Sequence, residues 1–365
     1  MSSPLRILAI NPGSTSTRVA FFEDDRCLFE EELRHGAIGT PGEDEEIRRR
    51  LEAVRSILED RKIDLSTLDA VVGRGGLLRP VPGGVYSVNA RLLRDAAQGV
   101  QGRHPANFGA PLAAELARES GAPAFVVDPV SVDEFDDLAR VSGLAQIERR
   151  SLSHALSIRA AVRALASDLG RPWRDVRAVV VHLGGGISVS PVRDGRIVDA
   201  NNAVSEGPFS PQRSGGLPVQ ELLDLVYSGR YTQAEIRRLT VGDGGLRSYL
   251  GTDDATEVER RIAAGDDRAE QIYRALAYQV AKEIGAMATV LEGRVDAVVL
   301  TGGLARSELL VDWIRGRVEF LGKRIDGLQP HPTHHRVRGH VRTYYSCRAK
   351  TPAFAAGQKD NCSRF

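Results

Sequence analysis

Apolar segments separated by polar turns occur twice along the chain in the same order. Near the N-terminus, a turn rich in Gly, Ser and Thr follows the first apolar strand, and Asp24-Asp25 follows the second. In the middle of the chain, Gly184-Gly185-Gly186 and the hairpin dipeptide Asp194-Gly195 take these places. The predicted strands are 6–10, 18–22, 27–33, 179–183, 187–192 and 196–200. The repetition predicts two similarly folded lobes, each opening with a three-stranded antiparallel meander.

Between and after the meanders, the spacing of apolar residues becomes helical, with single buried strands between the helices. Predicted helices cover 43–58, 106–119, 154–169, 219–227 and 266–291, and predicted strands cover 70–72, 124–127 and 297–300. This mixture predicts an α/β fold. Core packing accounts for the apolar faces of the helices, so the chemistry is expected in the turns.

Composition narrows the class of protein. The 365 residues are 42% hydrophobic and 27% charged, with 49 Lys and Arg against 48 Asp and Glu, as in soluble globular proteins with two domains. No apolar run approaches the roughly 18 residues of a membrane span, the N-terminal apolar segment is too short for a signal peptide, and three scattered cysteines form no disulfide framework. We therefore expect a cytoplasmic protein without a membrane or nucleic-acid partner.

The last 43 residues differ from the rest. Residues 323–365 contain nine Lys or Arg and two Asp or Glu, a net +7, which leaves −6 for residues 1–322 in a chain of net charge +1. They also hold four of the eight histidines and show no helical or strand periodicity. We interpret the shift as a change of reading frame near residue 322. A genuine metal- or nucleic-acid-binding extension is the alternative, but its spacings fit no known metal template.

Four turns that follow apolar strands could bind a ligand, because turns without bulky side chains let backbone N–H groups approach phosphate oxygens. None is a Walker A loop and none is a complete GxGxxG sequence opening a helix. Each alone is more often an ordinary turn, and their number is what favours a ligand site. They are Asn11-Pro-Gly-Ser-Thr-Ser-Thr-Arg18, Val72-Gly-Arg-Gly-Gly76, His182-Leu-Gly-Gly-Gly186 and Leu300-Thr-Gly-Gly-Leu304.

Charged residues lie beside these turns. Arg74 stands between glycines after a strand, and Arg213 lies in a loop of Gly, Pro and Ser; a guanidinium there suits a carboxylate or phosphate, although a surface ion pair is the simpler explanation. Asp128 ends a strand before Pro129, where it could orient a metal-bound water or cap a helix. His182 at a strand end and His104 before Pro105 are further candidates, against the commoner core or capping histidine.

Together with further segments, three of these turns resemble the acetate and butyrate kinase family in order and spacing over about residues 5–322, most closely its butyrate kinase branch. The segments are Asn11-Pro-Gly-Ser-Thr-Ser-Thr-Arg18, His104-Pro-Ala-Asn107, Val127-Asp-Pro-Val130, His182-Leu-Gly-Gly-Gly186, Glu206-Gly-Pro-Phe-Ser-Pro-Gln-Arg-Ser-Gly215 and Leu300-Thr-Gly-Gly-Leu304. The resemblance implies the actin-like ATPase fold: two ribonuclease-H-like lobes with an ATP cleft between them. It divides the chain into a first lobe for acyl and phosphate binding at 1–150, a second, nucleotide-binding lobe at 151–322, and a divergent basic tail outside the family fold at 323–365.

The resemblance also implies the ligands: ATP and Mg²⁺, a short-chain carboxylate or acyl phosphate, and a homodimer or higher homo-oligomer. The implied catalytic residues are Arg74, Arg213, Asp128 and His182. The implied nucleotide and phosphate ligands are Asn11, Gly13, Ser14, Thr15, Ser16, Thr17, Gly184, Gly185, Gly186, Gly302 and Gly303. The implied substrate contacts are Arg74, Gly75, Gly76, His104 and Asn107, and Asn11 and Asp128 are the implied magnesium ligands, acting through water. Family members end in an acidic segment and a closing helix that this chain lacks, which puts its activity in question.

The expected reaction is reversible, in-line phosphoryl transfer from ATP to butyrate. Branched-chain or other short-chain fatty acids are alternative acceptors, and Gly75 and Gly76 are interpreted as leaving space for more than a methyl group. A non-catalytic nucleotide-binding member of the same fold is the alternative from another class, and it would need neither Arg74 nor Arg213. A sugar kinase is less favoured, because sugar kinases use a catalytic aspartate to deprotonate a hydroxyl.

Overall fold

The computed structural model describes residues 3–13, 16–35 and 43–321, and the backbone of residues 341–344. Its strands are β1 (Arg6–Pro12), β2 (Ser16–Glu23), β3 (Arg26–Arg34), β4 (Ala70–Arg74), β5 (Val85–Ser87), β6 (Ala124–Val127), β7 (Ala178–Leu183), β8 (Ile187–Arg193), β9 (Arg196–Ile197), β10 (Ala297–Thr301) and β11 (Val341–Tyr344). Its helices are α1 (Glu43–Asp60), α2 (Ala90–Gln98), α3 (Gly109–Ser120), α4 (Asp137–Arg140), α5 (Ala155–Leu169), α6 (Val219–Tyr227), α7 (Gln233–Thr240), α8 (Leu246–Leu250), α9 (Ala255–Ala263), α10 (Asp267–Val290) and α11 (Glu308–Val318).

Two sheets repeat one topology. The first has the strand order β3-β2-β1-β4-β6-β5 and the second β11-β10-β7-β8-β9. In both, an antiparallel meander (β1 to β3, β7 to β9) continues through its first strand into parallel strands (β4 and β6, β10 and β11). The predicted α/β fold with a duplicated meander is therefore confirmed.

The first unit runs to Val132. Helices α1 and α3 cover one face of its sheet, where Leu8 and Ile10 of β1 and Phe21 of β2 join Val54 and Leu112 in one buried cluster. The alternate residues of β1 and β2 point to this cluster because side chains alternate across a strand. A second cluster, containing Leu78, Leu92 and Val126, packs α2 near the parallel strands.

The second unit begins at Asp133. Strand β7 is almost wholly apolar because both faces of its sheet are covered. Val179, Val181 and Leu183 pack with the long helix α10, whereas α5 contacts β7 and β10. Asp266 caps the N-terminus of helix α10, and its side chain accepts a hydrogen bond from the Ala269 N–H at 2.9 Å.

Residues 133–150 belong to the second unit by their contacts, whereas the sequence placed the lobe boundary at 150. The hydrogen bonds of Arg149 account for much of this assignment to the second unit. Its guanidinium donates to Asp199 and Glu206, both at 3.0 Å, and to the carbonyl oxygens of Ala139 and Ala200 at 2.8 and 2.9 Å. Charge pairs between distant segments are not visible in local sequence patterns.

Most predicted elements are present, with two kinds of difference. The strand expected at 196–200 is only two residues long, because it pairs with β8 only at Arg196 and Ile197. The sequence missed short helices such as α2, α7 and α9, each of which is only eight or nine residues long. Among the described residues no helix is long and apolar enough to cross a membrane.

The tail is described only at β11, which pairs in parallel with β10 in the place that β6 takes in the first sheet. The other residues of 323–365, with all four tail histidines, lie outside the described residues. The change of reading frame near residue 322 stays a prediction.

We expect Gly109→Ala to destabilise the protein by about 1–3 kcal/mol. A Cβ at Gly109, the first residue of α3, would overlap the carbonyl oxygen of Arg74, so strand β4 and α3 would have to separate. Gly285→Ala is the matched control, because a Cβ at this glycine in α10 has no neighbour within 4 Å and alanine favours the helix. Chemical unfolding of both variants measures the difference, and equal stabilities would contradict the close contact.

We expect Glu283→Gln to raise the melting temperature at pH 7 by about 2 °C. Burial, and then the negative charge of Glu206, raise the pKa of Glu283 on α10 above its ordinary value of 4.5. A carboxyl group with a raised pKa in the folded state lowers stability when ionised, so the advantage of glutamine should shrink as pH falls towards 4.5. Thermal unfolding from pH 7 to 4.5 measures it. Exposed Glu52→Gln is the control, and a difference that grows on acidification would contradict the argument.

Candidate active site

The carboxyl ends of three parallel strands bring Asn11, Arg74 and Asp128 to one edge of the first sheet. Ile10 of β1 pairs with Gly73 of β4, and Arg74 pairs with Val127 of β6, so the residues that follow are neighbours. The Arg74 guanidinium donates to the Asn11 side-chain oxygen at 3.2 Å. The strand-end residues singled out in sequence therefore meet, as expected for ligand sites in α/β sheets.

Asp128 has an unusual backbone. Its φ of +40° lies in the left-handed region that non-glycine residues rarely adopt. Its N–H donates to the Gly84 carbonyl oxygen at 2.9 Å, and its carboxylate accepts from the Gly84 N–H at 2.8 Å. The side chain is only 3% exposed. A strained, fixed carboxylate at a strand end is typical of functional sites.

The glycines around Arg74 allow close packing of backbones. A Cβ at Gly73 would overlap Gly109, one at Gly75 would overlap Val126 and Pro129, and one at Gly76 would overlap Asn107. The interpretation that Gly75 and Gly76 leave space for an acyl chain is therefore wrong, because neighbouring atoms already fill that space.

Asn107 is buried, and its side chain links three segments of backbone. Its side-chain oxygen accepts from the Leu77 N–H at 2.8 Å, and its amide nitrogen donates to the carbonyl oxygens of Ala96 and Gly102 at 3.3 and 3.1 Å. His104 begins the short 3₁₀ turn before α3, and its Nδ1 accepts from the Ala106 N–H at 3.1 Å. His104 also lines a cavity of about 310 Å³. The structure thus gives Asn107 a structural role and leaves His104 beside open space.

The turn after β1 is held from inside the protein. Gly13 N–H donates to the Ser16 carbonyl oxygen at 2.7 Å, while Ser14 and Thr15 lie outside the described residues. Thr17 is fully buried, and its hydroxyl lies 2.7 Å from Nη1 of Arg50, which donates to it, and 2.8 Å from Nε2 of His35. The Thr17 hydroxyl is therefore directed into the protein.

The second unit presents a corresponding edge, where β7 and β10 end together because His182 pairs with Thr301. The turn after β10 touches the last residue of β7: Gly302 has a φ of +94°, and a Cβ there would overlap Leu183. Gly303 has open space around it. Adjacent turns of this kind suit a phosphate-bearing ligand.

Arg213 lies directly on the glycine turn. A Cβ at Gly186 would overlap its guanidinium, so only glycine permits this arrangement. Nη1 donates to the Ala203 carbonyl oxygen at 2.7 Å, and among the described residues no carboxylate pairs with the guanidinium. Burial lowers the pKa of Arg213 below its ordinary value. A partly buried guanidinium without a carboxylate partner is able to bind an anion.

His182 stacks on His154, with ring centres 3.9 Å apart and planes inclined by 13°. Nδ1 of His154 lies 2.8 Å from the Ser188 hydroxyl on the neighbouring strand β8. The Ser210 hydroxyl donates to the Gly185 carbonyl oxygen at 2.6 Å and ties the 207–216 loop to the glycine turn. The edge of the second unit therefore combines glycines, one histidine pair and one arginine.

Sequence reasoning missed Gly109, His154 as the stacking partner of His182, and Arg50 behind the first turn. The i, i+4 pair of Glu46 and Arg50 on a helix with a strong apolar face was a signal for the last of these. Among the described residues no group of three or more His, Cys, Asp or Glu is arranged to hold a metal ion.

The sequence matches known proteins in two comparisons. The family model described as the acetokinase family matches residues 145–346, so the match extends into the tail beyond residue 322. A protein named probable butyrate kinase from Listeria monocytogenes serotype 4a (strain HCC23) is 48% identical over 312 residues, which are 84% of this chain and 88% of that protein.

Two solved structures share the fold. The acetate kinase of Porphyromonas gingivalis superposes with a TM-score of 0.76 at 19% identity, over 93% of this chain and 96% of that one. A propionate kinase from Francisella tularensis subsp. tularensis SCHU S4 gives 0.75 at 18% identity, over 94% and 97%. With the actin-like ATPase topology and the 48% identical relative, these matches lead to one conclusion: the chain belongs to the acetokinase family.

Proposed function

We propose that the chain is an ATP-dependent carboxylate kinase that converts butyrate and ATP to butyryl phosphate and ADP, reversibly. The observation that carries this proposal is Arg213, a partly buried guanidinium that lies on the glycine turn after β7 and pairs with no carboxylate of the described residues. Family membership and the relative named probable butyrate kinase support it.

The reaction makes few chemical demands on the protein. A carboxylate oxygen attacks the γ-phosphorus of ATP, the bond to the bridging oxygen of the β-phosphate breaks, and ADP leaves with that electron pair. A carboxylate is ionised at pH 7 and needs no general base. Catalysis therefore depends on alignment and on cations that stabilise the charge of the transferring phosphoryl group.

The roles follow from the two strand edges. Arg74, oriented by Asn11, binds the acyl carboxylate, and Arg213 with His182 stabilises the transferring phosphoryl group. Gly184, Gly185 and Gly186 present backbone N–H groups to the phosphates, and Gly302 and Gly303 lie against the adenosine. We assign Gly13 and Ser16 to phosphate binding and Thr17 to holding the turn between β1 and β2, whereas Ser14 and Thr15, predicted as phosphate ligands, lie outside the described residues.

Magnesium fits these residues as a nucleotide-bound ion. Mg²⁺ is usually held by one or two carboxylates, substrate phosphates and water. Asp128 is the carboxylate at this strand edge, and one of its oxygens already accepts from the Gly84 N–H, while the Asn11 oxygen accepts from Arg74. Contacts through water therefore suit both residues. The ion would neutralise phosphate charge.

Butyrate is the proposed acceptor because of the relative named probable butyrate kinase. Gly75 and Gly76 do not indicate the length of the acyl chain. Branched and other short-chain carboxylic acids are compared with butyrate in the experiment below. The cavity lined by His104 is the proposed space for the acyl chain. A homodimer or higher homo-oligomer, a cytoplasmic location and the absence of nucleic-acid and membrane partners stay predictions.

The purified chain is expected to form acyl phosphate from ATP, Mg²⁺ and a carboxylate, with the highest rate for butyrate or isobutyrate among acetate, propionate, butyrate and isobutyrate. Trapping with hydroxylamine measures the product. A version whose residues after 322 are replaced by a family-like acidic ending and helix is assayed beside it. Product from that version alone would locate the defect in the tail, and no product from either would favour a non-catalytic nucleotide-binding protein.

Arg213→Met is expected to lower kcat by roughly 10³-fold, as for other arginines that stabilise a transferring phosphoryl group. Arg171→Met is the matched control in the same unit, because Arg171 pairs with Asp296 at 2.7 Å at the opposite, amino-terminal edge of β7 and β10. Steady-state kinetics and thermal unfolding are measured for both variants. A kcat for Arg213→Met close to that of the control would remove Arg213 from the mechanism.

A further inference from the structure

Arg50 of helix α1 is one of the most deeply buried charged residues, with 1% of its surface exposed. Four hydrogen bonds hold its guanidinium. Nε donates to the Glu46 carboxylate at 2.6 Å, Nη1 donates to the Ser16 carbonyl oxygen at 3.1 Å and the Thr17 hydroxyl at 2.7 Å, and Nη2 donates to the Gly13 carbonyl oxygen at 2.9 Å.

These acceptors lie on both sides of the turn between β1 and β2. Gly13 follows the last residue of β1, and Ser16 and Thr17 are the first two residues of β2. One planar, rigid group therefore fixes the two stems of the turn relative to each other and to α1. The guanidinium carbon also lies 5.5 Å from the centre of the Phe108 ring, which covers it.

Glu46 completes the arrangement. It accepts from Arg50 and from Arg49, both at 2.6 Å. Burial raises the pKa of Glu46, but the hydrogen bond and positive charge of Arg50, and then those of Arg49, outweigh burial and lower it. The carboxylate is therefore ionised at neutral pH and offsets the buried positive charge.

We propose that Arg50 is a positioning residue, which fixes Gly13, Ser16 and Thr17, the stems of the turn between β1 and β2, for binding of the nucleotide phosphates without touching the ligand. This inference rests on the proposed function and adds a residue to it. The consequence is specific: loosening the turn should affect the use of ATP and leave binding of the carboxylate nearly unchanged, because Asn11 and Arg74 lie on β1 and β4, where pairing of the strands and not Arg50 holds them.

Lysine at position 50 tests the role, because it keeps the charge but cannot hold three acceptors in one plane. Arg159→Lys is the matched control: Arg159 is 6% exposed, lies on α5 in the second unit, and donates to Glu134 at 2.5 Å. Both variants lose a buried arginine paired with a glutamate, but only Arg50 contacts the turn.

Arg50→Lys is expected to lower kcat/KM for ATP by roughly 10–100-fold, the range that a misplaced binding group produces. KM for butyrate should stay within about twofold. Hydrogen exchange of peptides that cover residues 7–22 should be faster in Arg50→Lys than in the parent, and unchanged in Arg159→Lys. The control should keep the parental kcat/KM for ATP.

Three results would overturn the role of Arg50: a kcat/KM for ATP within twofold of the parent, unchanged exchange of the turn, or the same kinetic loss in Arg159→Lys. Inactivity of the parent towards every carboxylate would contradict the proposed kinase. The exchange experiment needs no activity, so it would still decide whether Arg50 holds the turn.

Discussion

Close approach of backbones at glycine is the constraint on which the rest of the structure depends. Gly73 and Gly109 let strand β4 and helix α3 touch, and this contact fixes Arg74, because the carbonyl oxygen of Arg74 is the atom that a Cβ at Gly109 would meet. In the second unit, Gly302 lets the turn after β10 touch β7, and Gly186 accommodates Arg213. The charged side chains are positioned because these four glycines have no side chain.

Arginines that are buried or partly buried divide into two kinds by their partners. Arg50 and Arg159 each pair with a glutamate, so their charges are balanced inside the protein. Arg213 has a carbonyl oxygen as its acceptor and no carboxylate among the described residues. A buried positive charge is costly without a counter-charge. A phosphoryl group would supply that counter-charge, which is why Arg213 is the residue on which the proposed function depends.

The duplicated sheet explains how one fold carries two kinds of binding edge. In both units the residues proposed to face the ligands lie at or directly after the carboxyl ends of parallel strands, where backbone groups and side chains converge. The first unit places an arginine, an amide and a carboxylate at this edge, and the second places glycines and histidines. The fold is common to other family members, and the chemistry comes from the residues at the two edges.

The sequence by itself determined the two meanders, the α/β class, the strand-end turns and the family. These signals are local, because strand alternation, glycine turns and motif spacing are written in neighbouring residues. Only the tertiary structure decided that the Asn107 side chain links three backbone segments, that neighbouring atoms fill the space beside Gly75 and Gly76, and that residues 133–150 join the second unit. It also decided that the Thr17 hydroxyl points to Arg50. Each of these depends on residues far apart in the chain, whose contacts appear only when strands and helices pack together.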